Sequence, residues 1–408
     1  MSLSGKNRRA VVVSFLLAMT FCNVSLPIRI LPELRNGYQD FTIFYTGARL
    51  LRSGQASHLY DLGTQYRLQQ TFTNVPIRSG PLPFNHPPFE ALLFIPFTFL
   101  AYWPAYLLWT ALNLVMLAAI VILLRMNFPE FAAMSPVALG LGATAFFPVV
   151  VGVMQGQDII LLSLLFVLAV VCLNRGKNAA AGAILAMGLF RPHIVVGLIL
   201  LLAMRRWRIL LGFAPVALVL AALSVALTGW HGPVDYVRFV FHVESSHMFG
   251  PQAAPNLRGL ISDFPGVTLS APVTGILIFA ASMLVFIPAG LRIKNGRDSM
   301  IFLSSLAAVT TVLIGFHAFV YDLCLIFPAV LLLLSRTLAV EGAKDEEKVD
   351  AATLLLVLLL FLTPIYLFLL LSVNAFFWFS LVVLGLYCRM LFAAGPGARK
   401  RTMISIGA

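Results

Sequence analysis

The chain has 408 residues, 60% hydrophobic and only 11% charged, with a mean hydropathy of +0.94. Soluble domains carry roughly 25% charged residues, so a soluble multidomain protein is excluded. The net charge of +12 raises nucleic acid as a partner, but Lys and Arg stand in short clusters between apolar runs. Membrane topology accounts for such clusters, and no nucleic-acid partner is expected.

Apolar stretches near the spanning length of about 18 residues recur along the whole chain. The first follows Lys6, Arg8 and Arg9; with no small-residue cleavage site near Phe21–Leu26 it reads as an uncleaved span rather than a leader. The expected spans are 10–31, 103–124, 132–153, 158–174, 178–190, 193–204, 209–228, 272–291, 299–316, 323–339, 351–372 and 374–393. Helix is the element that lipid permits here. The expected fold is an all-α polytopic membrane protein with about twelve helices, a single membrane-embedded domain over residues 1–408 with both ends cytoplasmic. Clusters such as Arg175/Lys177, Arg205/Arg206/Arg208, Arg292/Lys294/Arg297 and Arg399/Lys400/Arg401 then fall on the cytoplasmic side. Residues from about 394 form a cytoplasmic tail.

The segment Pro88–Leu100 is apolar but short and broken by Pro96. Counting it as a span would invert every later loop, so it reads as re-entrant or surface-lying on the outer face. Two long external segments result, about 32–102 and 229–271. The first holds expected helices at Phe41–Arg52, amphipathic and lying on the membrane surface, and around Thr64–Thr73. The longest cytoplasmic loop is the charged Glu341–Asp350. Binding and catalytic residues concentrate on long irregular segments, which directs attention outward.

Several polar residues stand out there. Asp40, just before Phe41–Arg52, is either an N-cap or a carboxylate base held at the water–lipid boundary. Gln157 and Asp158 cap an outer hairpin, where a lone aspartate reads first as an N-cap. Arg191 lies only about 22 Å of helix from Gly176, against a hydrocarbon core of about 30 Å. It therefore sits below the outer surface, and a buried arginine points to a phosphate-bearing lipid or to a structural carboxylate partner. His317 and Tyr321, in GFHAFVYDLCL, share a face if that stretch is helical. His86, Asn256 and Arg258 are weaker candidates for substrate contact. No DxD or ExD pair stands in the outer loops, and a hard divalent cation needs several oxygen ligands. His231, His242 and His247 lack ligand-like partners, and Cys22, Cys172, Cys324 and Cys388 show no CxxC spacing. A metal-independent reaction without a cofactor is expected.

The stretches DFTIFYTGARLLRSGQASHLYD, FNHPPFEALLFIPF, GQDIILLSLL, AAAGAILAMGLFRPHIVVGLILLLAMRRWR, PNLRGL and HAFVYDLCLIFPAVLLL resemble, in order, glycosyltransferase family 87. That family is a branch of the GT-C membrane glycosyltransferases and includes polyprenol-phosphate-mannose-dependent α-mannosyltransferases. The resemblance implies a GT-C-type fold, with Asp40 as general base and His317 as the histidine of the late outer loop. Two positions depart from the family pattern: Arg191-Pro192 replaces the usual Lys-Pro, and Asp158 replaces the usual asparagine after Gly-Gln. The second change bears on the choice of acceptor.

The expected reaction is an inverting transfer of a hexose, read as mannose, at the outer face of the bacterial inner membrane. A polyprenyl-phosphate sugar donor and a lipid or glycan acceptor are the implied partners, with Arg191 and His317 on the phosphate. The competing reading is a transporter or lipid flippase using Arg191 and Asp322 along a path.

Overall fold

A computed structural model describes residues 5–74, 80–245, 250–264, 266, 269–338 and 350–392. The expected tail from 394 with its Arg399/Lys400/Arg401 cluster, most of the 341–350 loop, and His247 lie outside the described residues. Helices dominate, and no strand occurs among the described residues. The protein is an all-α polytopic membrane protein.

A helix stands at each expected span, but the spans differ in kind. Among the described residues, five helices are long and apolar enough to cross a membrane: Asn7–Arg29, Tyr102–Asn127, Trp207–Thr228, Ala271–Asn295 and Val320–Leu338. The first four turn large apolar side chains out of the fold, among them Phe21, Val115, Leu218 and Leu284, as lipid-facing helices do. Val320–Leu338 is enclosed on nearly every side and forms the central pillar. Ile159–Asn174, Pro192–Arg205, Met300–Ile314 and Phe376–Phe392 are shorter apolar helices. Asn178–Ala186 has only 9 residues.

Two expected spans are broken, which the hydropathy pattern did not reveal. Pro136–Ala145 meets Phe147–Met154 at 66°, and Ala351–Phe361 meets Thr363–Ser372 at 59°. Pro148 and Pro364 stand at the starts of the second halves, where a proline restricts the residue before it and interrupts the helix ladder. Backbone groups freed at depth need partners, and buried Asn23 of the first helix serves both breaks. Its Nδ2 donates to the Thr144 carbonyl at 2.9 Å, and its Oδ1 accepts from Thr363 Oγ1 at 2.8 Å.

The short helix Asn178–Ala186 packs closely on Leu210–Thr228 because small residues face each other. A methyl group on Gly182 would run into the Ile209 carbonyl, and one on Gly212 into the Ala179 carbonyl. Gly182→Ala therefore forces two backbones apart. The expected cost is about 1–3 kcal/mol, read as a lowered unfolding temperature in detergent; an unchanged temperature would remove this packing account.

Helix Phe41–Arg52 has the expected bounds, and Phe41, Phe44, Tyr45 and Ala48 share a buried face. Its surroundings correct the sequence expectation, however. Thr42, Ile43, Thr46, Gly47 and Leu50 are buried as well, so the helix is enclosed by protein rather than laid on lipid. Its cover is the segment expected to be re-entrant, which forms a helix at Glu90–Phe94 and a 3-10 turn at Ile95–Phe99. Phe44 stacks on Phe94 at 4.6 Å between ring centroids, Tyr45 Oη donates to the Leu100 carbonyl, and Arg52 to that of Thr98. The helix expected at Thr64–Thr73 lies at Leu62–Gln69.

Candidate active site

The turn Gln155–Asp158 is the platform of the site. Helix Tyr102–Asn127 holds it through Tyr106 Oη to the Met154 carbonyl and Trp109 Nε1 to the Gly156 carbonyl. Gly156 has φ +62°, and a Cβ there would press on Phe41, so the turn and helix Phe41–Arg52 meet at a place only glycine fits. Gln155 accepts from the backbone N–H of Asp40 through its side chain and from that of Phe41 through its carbonyl. Gln157 Nε2 then donates to Asp40 Oδ2 at 2.7 Å.

Asp40 thus precedes its helix, but its carboxylate makes no capping bond. The N-cap reading gives way: the side chain is turned to Gln157. The same holds at Asp158, which precedes Ile159–Asn174 without capping it and pairs with Arg191 instead.

Arg191 stands between two short helices, 3% exposed. Its Nε donates to Asp158 Oδ1 at 2.7 Å, Nη1 to Asp322 Oδ1 at 2.7 Å and Nη2 to Gln157 Oε1 at 2.5 Å. A guanidinium so engaged is a poor lone clamp for a lipid phosphate, and the structural-partner alternative describes it better. It remains on the wall of the site, where it links Asp158, Asp322 and, through Gln157, Asp40.

The stretch Gly315–Phe319 is not helical; a 3-10 turn begins at Val320. The expected shared helical face of His317 and Tyr321 is therefore incorrect, although both line the same cavity. Asp322 Oδ2 accepts from the Phe319 backbone N–H at 2.7 Å, tying this loop to Arg191. The Tyr321 ring lies against the guanidinium, 5.4 Å from its centroid. Asn256 and Arg258 do not line the cavity. Asn256 caps its own helix through Gly259 and donates to the Gly315 carbonyl; Arg258 donates to the Phe316 carbonyl. They brace the His317 loop from outside, which replaces the expected substrate contact.

The cavity measures about 150 Å³, and its walls include Asp40, His86, Gln157, Arg191, His193, His317 and Tyr321. Small-molecule sites usually span about 300–1,000 Å³, so this chamber admits only the reacting end of a larger substrate. A second, open cavity of about 560 Å³ lies between Ala56–Asp61 and helix His231–Ser245. That helix serves both: Asp235, Phe239 and His242 face the larger space, Tyr236 and Val240 the smaller.

Sequence reasoning missed Glu90, four residues after His86 and 1% exposed. A lone carboxylate in an apolar segment was the available signal. His86 Nδ1 lies 2.7 Å from Glu90 Oε2 and 3.9 Å from Asp158 Oδ2. Burial first, and then the Asp158 charge, raise the Glu90 pKa, while burial lowers that of His86 to about 4.

The family model of glycosyltransferase family 87 matches residues 84–316, more than half of the chain. The chain belongs to glycosyltransferase family 87. A search of curated proteins and a search of solved structures gave no match. The family 87 match takes in His86, Gln157, Asp158 and Arg191, while Asp40, His317 and Tyr321 lie outside it and join the site through the fold. The protein is thus a membrane glycosyltransferase, which sets aside the transporter reading.

Proposed function

We propose that this family 87 enzyme transfers a hexose, read as mannose, from a polyprenyl-phosphate donor to a lipid or glycan acceptor. The site opens on the extracytoplasmic face, and the reaction inverts the anomeric centre, as in GT-C enzymes. The observation that carries the reading is Asp40, a carboxylate on the wall of a small chamber, fixed by the Gln155–Gln157 turn.

In this mechanism the acceptor hydroxyl gives its proton to Asp40 as its oxygen attacks the anomeric carbon. The C1–O bond to phosphate breaks, and the polyprenyl phosphate departs as a stable anion. It needs no strong general acid, so one carboxylate suffices where glycosidases use two. His317 and Tyr321 are the hydrogen-bond donors offered to the phosphate. Arg191 lends positive field from behind them and acts chiefly as a positioning residue for Gln157 and Asp322.

The test is incubation of purified protein with polyprenyl-phosphate-mannose and envelope lipid extract, with products identified by mass spectrometry. The expected product carries one added hexose in the inverted configuration. Absence of transfer from the mannose donor, with turnover of a glucose or arabinose donor, would overturn the sugar assignment. Turnover of nucleotide sugars alone would overturn the polyprenyl-phosphate reading.

A further inference from the structure

Behind the wall of the small cavity that His86 and Arg191 form, buried charge is unbalanced. Glu90, Asp158 and Asp322 are 1%, 0% and 0% exposed. Arg191 pairs with Asp158 and Asp322, so three carboxylates share one guanidinium. Buried charges persist only when paired, coordinated or neutralised. Asp322 is well served, by Arg191 on one oxygen and the Phe319 N–H on the other. The deficit sits at Glu90 and at Asp158 Oδ2, buried oxygens that no guanidinium or backbone N–H reaches and that face each other and His86 Nδ1.

The third group facing them is His86. Its Nδ1 is turned to Glu90, 2.7 Å from Oε2. In the tautomer with its proton on Nε2, Nδ1 is an acceptor. A lone pair then faces two carboxylates, an arrangement that only a cation or an extra proton between them relieves.

We propose that His86 Nδ1, Glu90 and Asp158 Oδ2 form a buried site for a divalent transition-metal cation, Zn²⁺ or Mn²⁺. The three residues offer ligand atoms lying within 4.8 Å of one another. Bonds of about 2.0–2.2 Å place neighbouring ligand atoms about 3–3.5 Å apart. The 2.7 and 3.9 Å separations from Nδ1 bracket that range. One nitrogen and two carboxylates suit Zn²⁺ and Mn²⁺ better than Mg²⁺ or Ca²⁺, which take oxygen alone. Two positive charges balance the deficit left by Arg191. The ion ties the Pro87–Phe94 segment to the start of helix Ile159–Asn174, and so steadies the turn that carries Gln157. The proposal runs counter to the expectation of no metal: the ligands are dispersed over residues 86–158, so no short motif announces them.

The test reads metal content rather than turnover, so it stands apart from the assignment of sugar and donor. Full-length protein purified without chelator is loaded with Zn²⁺ or Mn²⁺, gel-filtered and measured by elemental mass spectrometry. The expected result is one ion per chain, falling tenfold or more in His86→Gln and Glu90→Gln but not in the control His231→Gln. Should the variants fail to fold, pulsed electron paramagnetic resonance of Mn²⁺-loaded wild type is expected to show histidine-nitrogen coupling. Folded wild type that retains neither metal would overturn the proposal. So would a protonated-carboxyl infrared band that is lost in Glu90→Gln and persists after metal loading, since the extra proton would then sit on Glu90.

Discussion

Asp40→Asn is expected to lower kcat for sugar transfer by about 10²–10⁴-fold, with KM for the donor nearly unchanged. Asparagine keeps the size of the side chain and an oxygen for Gln157 Nε2, which now bonds Asp40 at 2.7 Å. The backbone bonds to Gln155 do not involve the carboxylate, so the fold should persist. What disappears is the basicity that accepts the hydroxyl proton. Gln157→Leu is the informative companion: it removes the orienting amide and leaves the base, so a smaller fall of about tenfold is expected. Assaying both variants with purified protein of verified homogeneity decides the matter. Near wild-type turnover in Asp40→Asn would dismiss this residue as the base.

Arg191→Met is expected to cost about 3–5 kcal/mol of stability, seen as sharply reduced yield of monodisperse protein and a lowered unfolding temperature. The loss is large because Asp158 and Asp322 are fully buried and would be left uncompensated. Arg191→Lys retains the charge, but an ammonium is a point donor and lacks the planar fork that reaches Asp158, Asp322 and Gln157 together. A partial loss is expected, and adding Asp158→Asn should recover much of it, since that change removes one of the charges competing for the lysine. Equal stability of Arg191→Lys with and without Asp158→Asn would contradict the coupling.

That last pair shows what was legible in the sequence and what was not. Arg191 and Asp158 could each be flagged in isolation, one as a cation below the outer surface and the other as a lone aspartate at a helix start. That they answer one another across 33 residues is a tertiary fact. The short helical legs around Arg191 set its expected depth, because length against bilayer thickness is a local argument; its enclosure by protein is a further, tertiary fact. Its partners were not foretold, because a guanidinium matches a lipid phosphate and a buried carboxylate by the same geometry. Helix Phe41–Arg52 makes a similar point. Its bounds and apolar face followed from periodicity, but periodicity does not distinguish lipid from Phe94 and Phe97 as the cover. Whether the stretch around His317 is helical was left open by the sequence; the Asp322 bond to the Phe319 N–H belongs to a non-helical loop there. The breaks at Phe146 and Leu362 were missed since hydropathy averages over a bend.

Asn23 has a consequence for biosynthesis. Its amide N–H finds Thr144 after a further 121 residues of chain, but its oxygen finds Thr363 only after 340. At about 5–20 residues per second, the second partner follows the first asparagine off the ribosome by roughly 20–70 s. Until Thr144 emerges the amide has neither partner, and from then until Thr363 it is half-satisfied in a lipid setting, a group for chaperone, translocon or neighbouring chain to occupy. Completion of the barrier-embedded body is thereby deferred to the arrival of its last third.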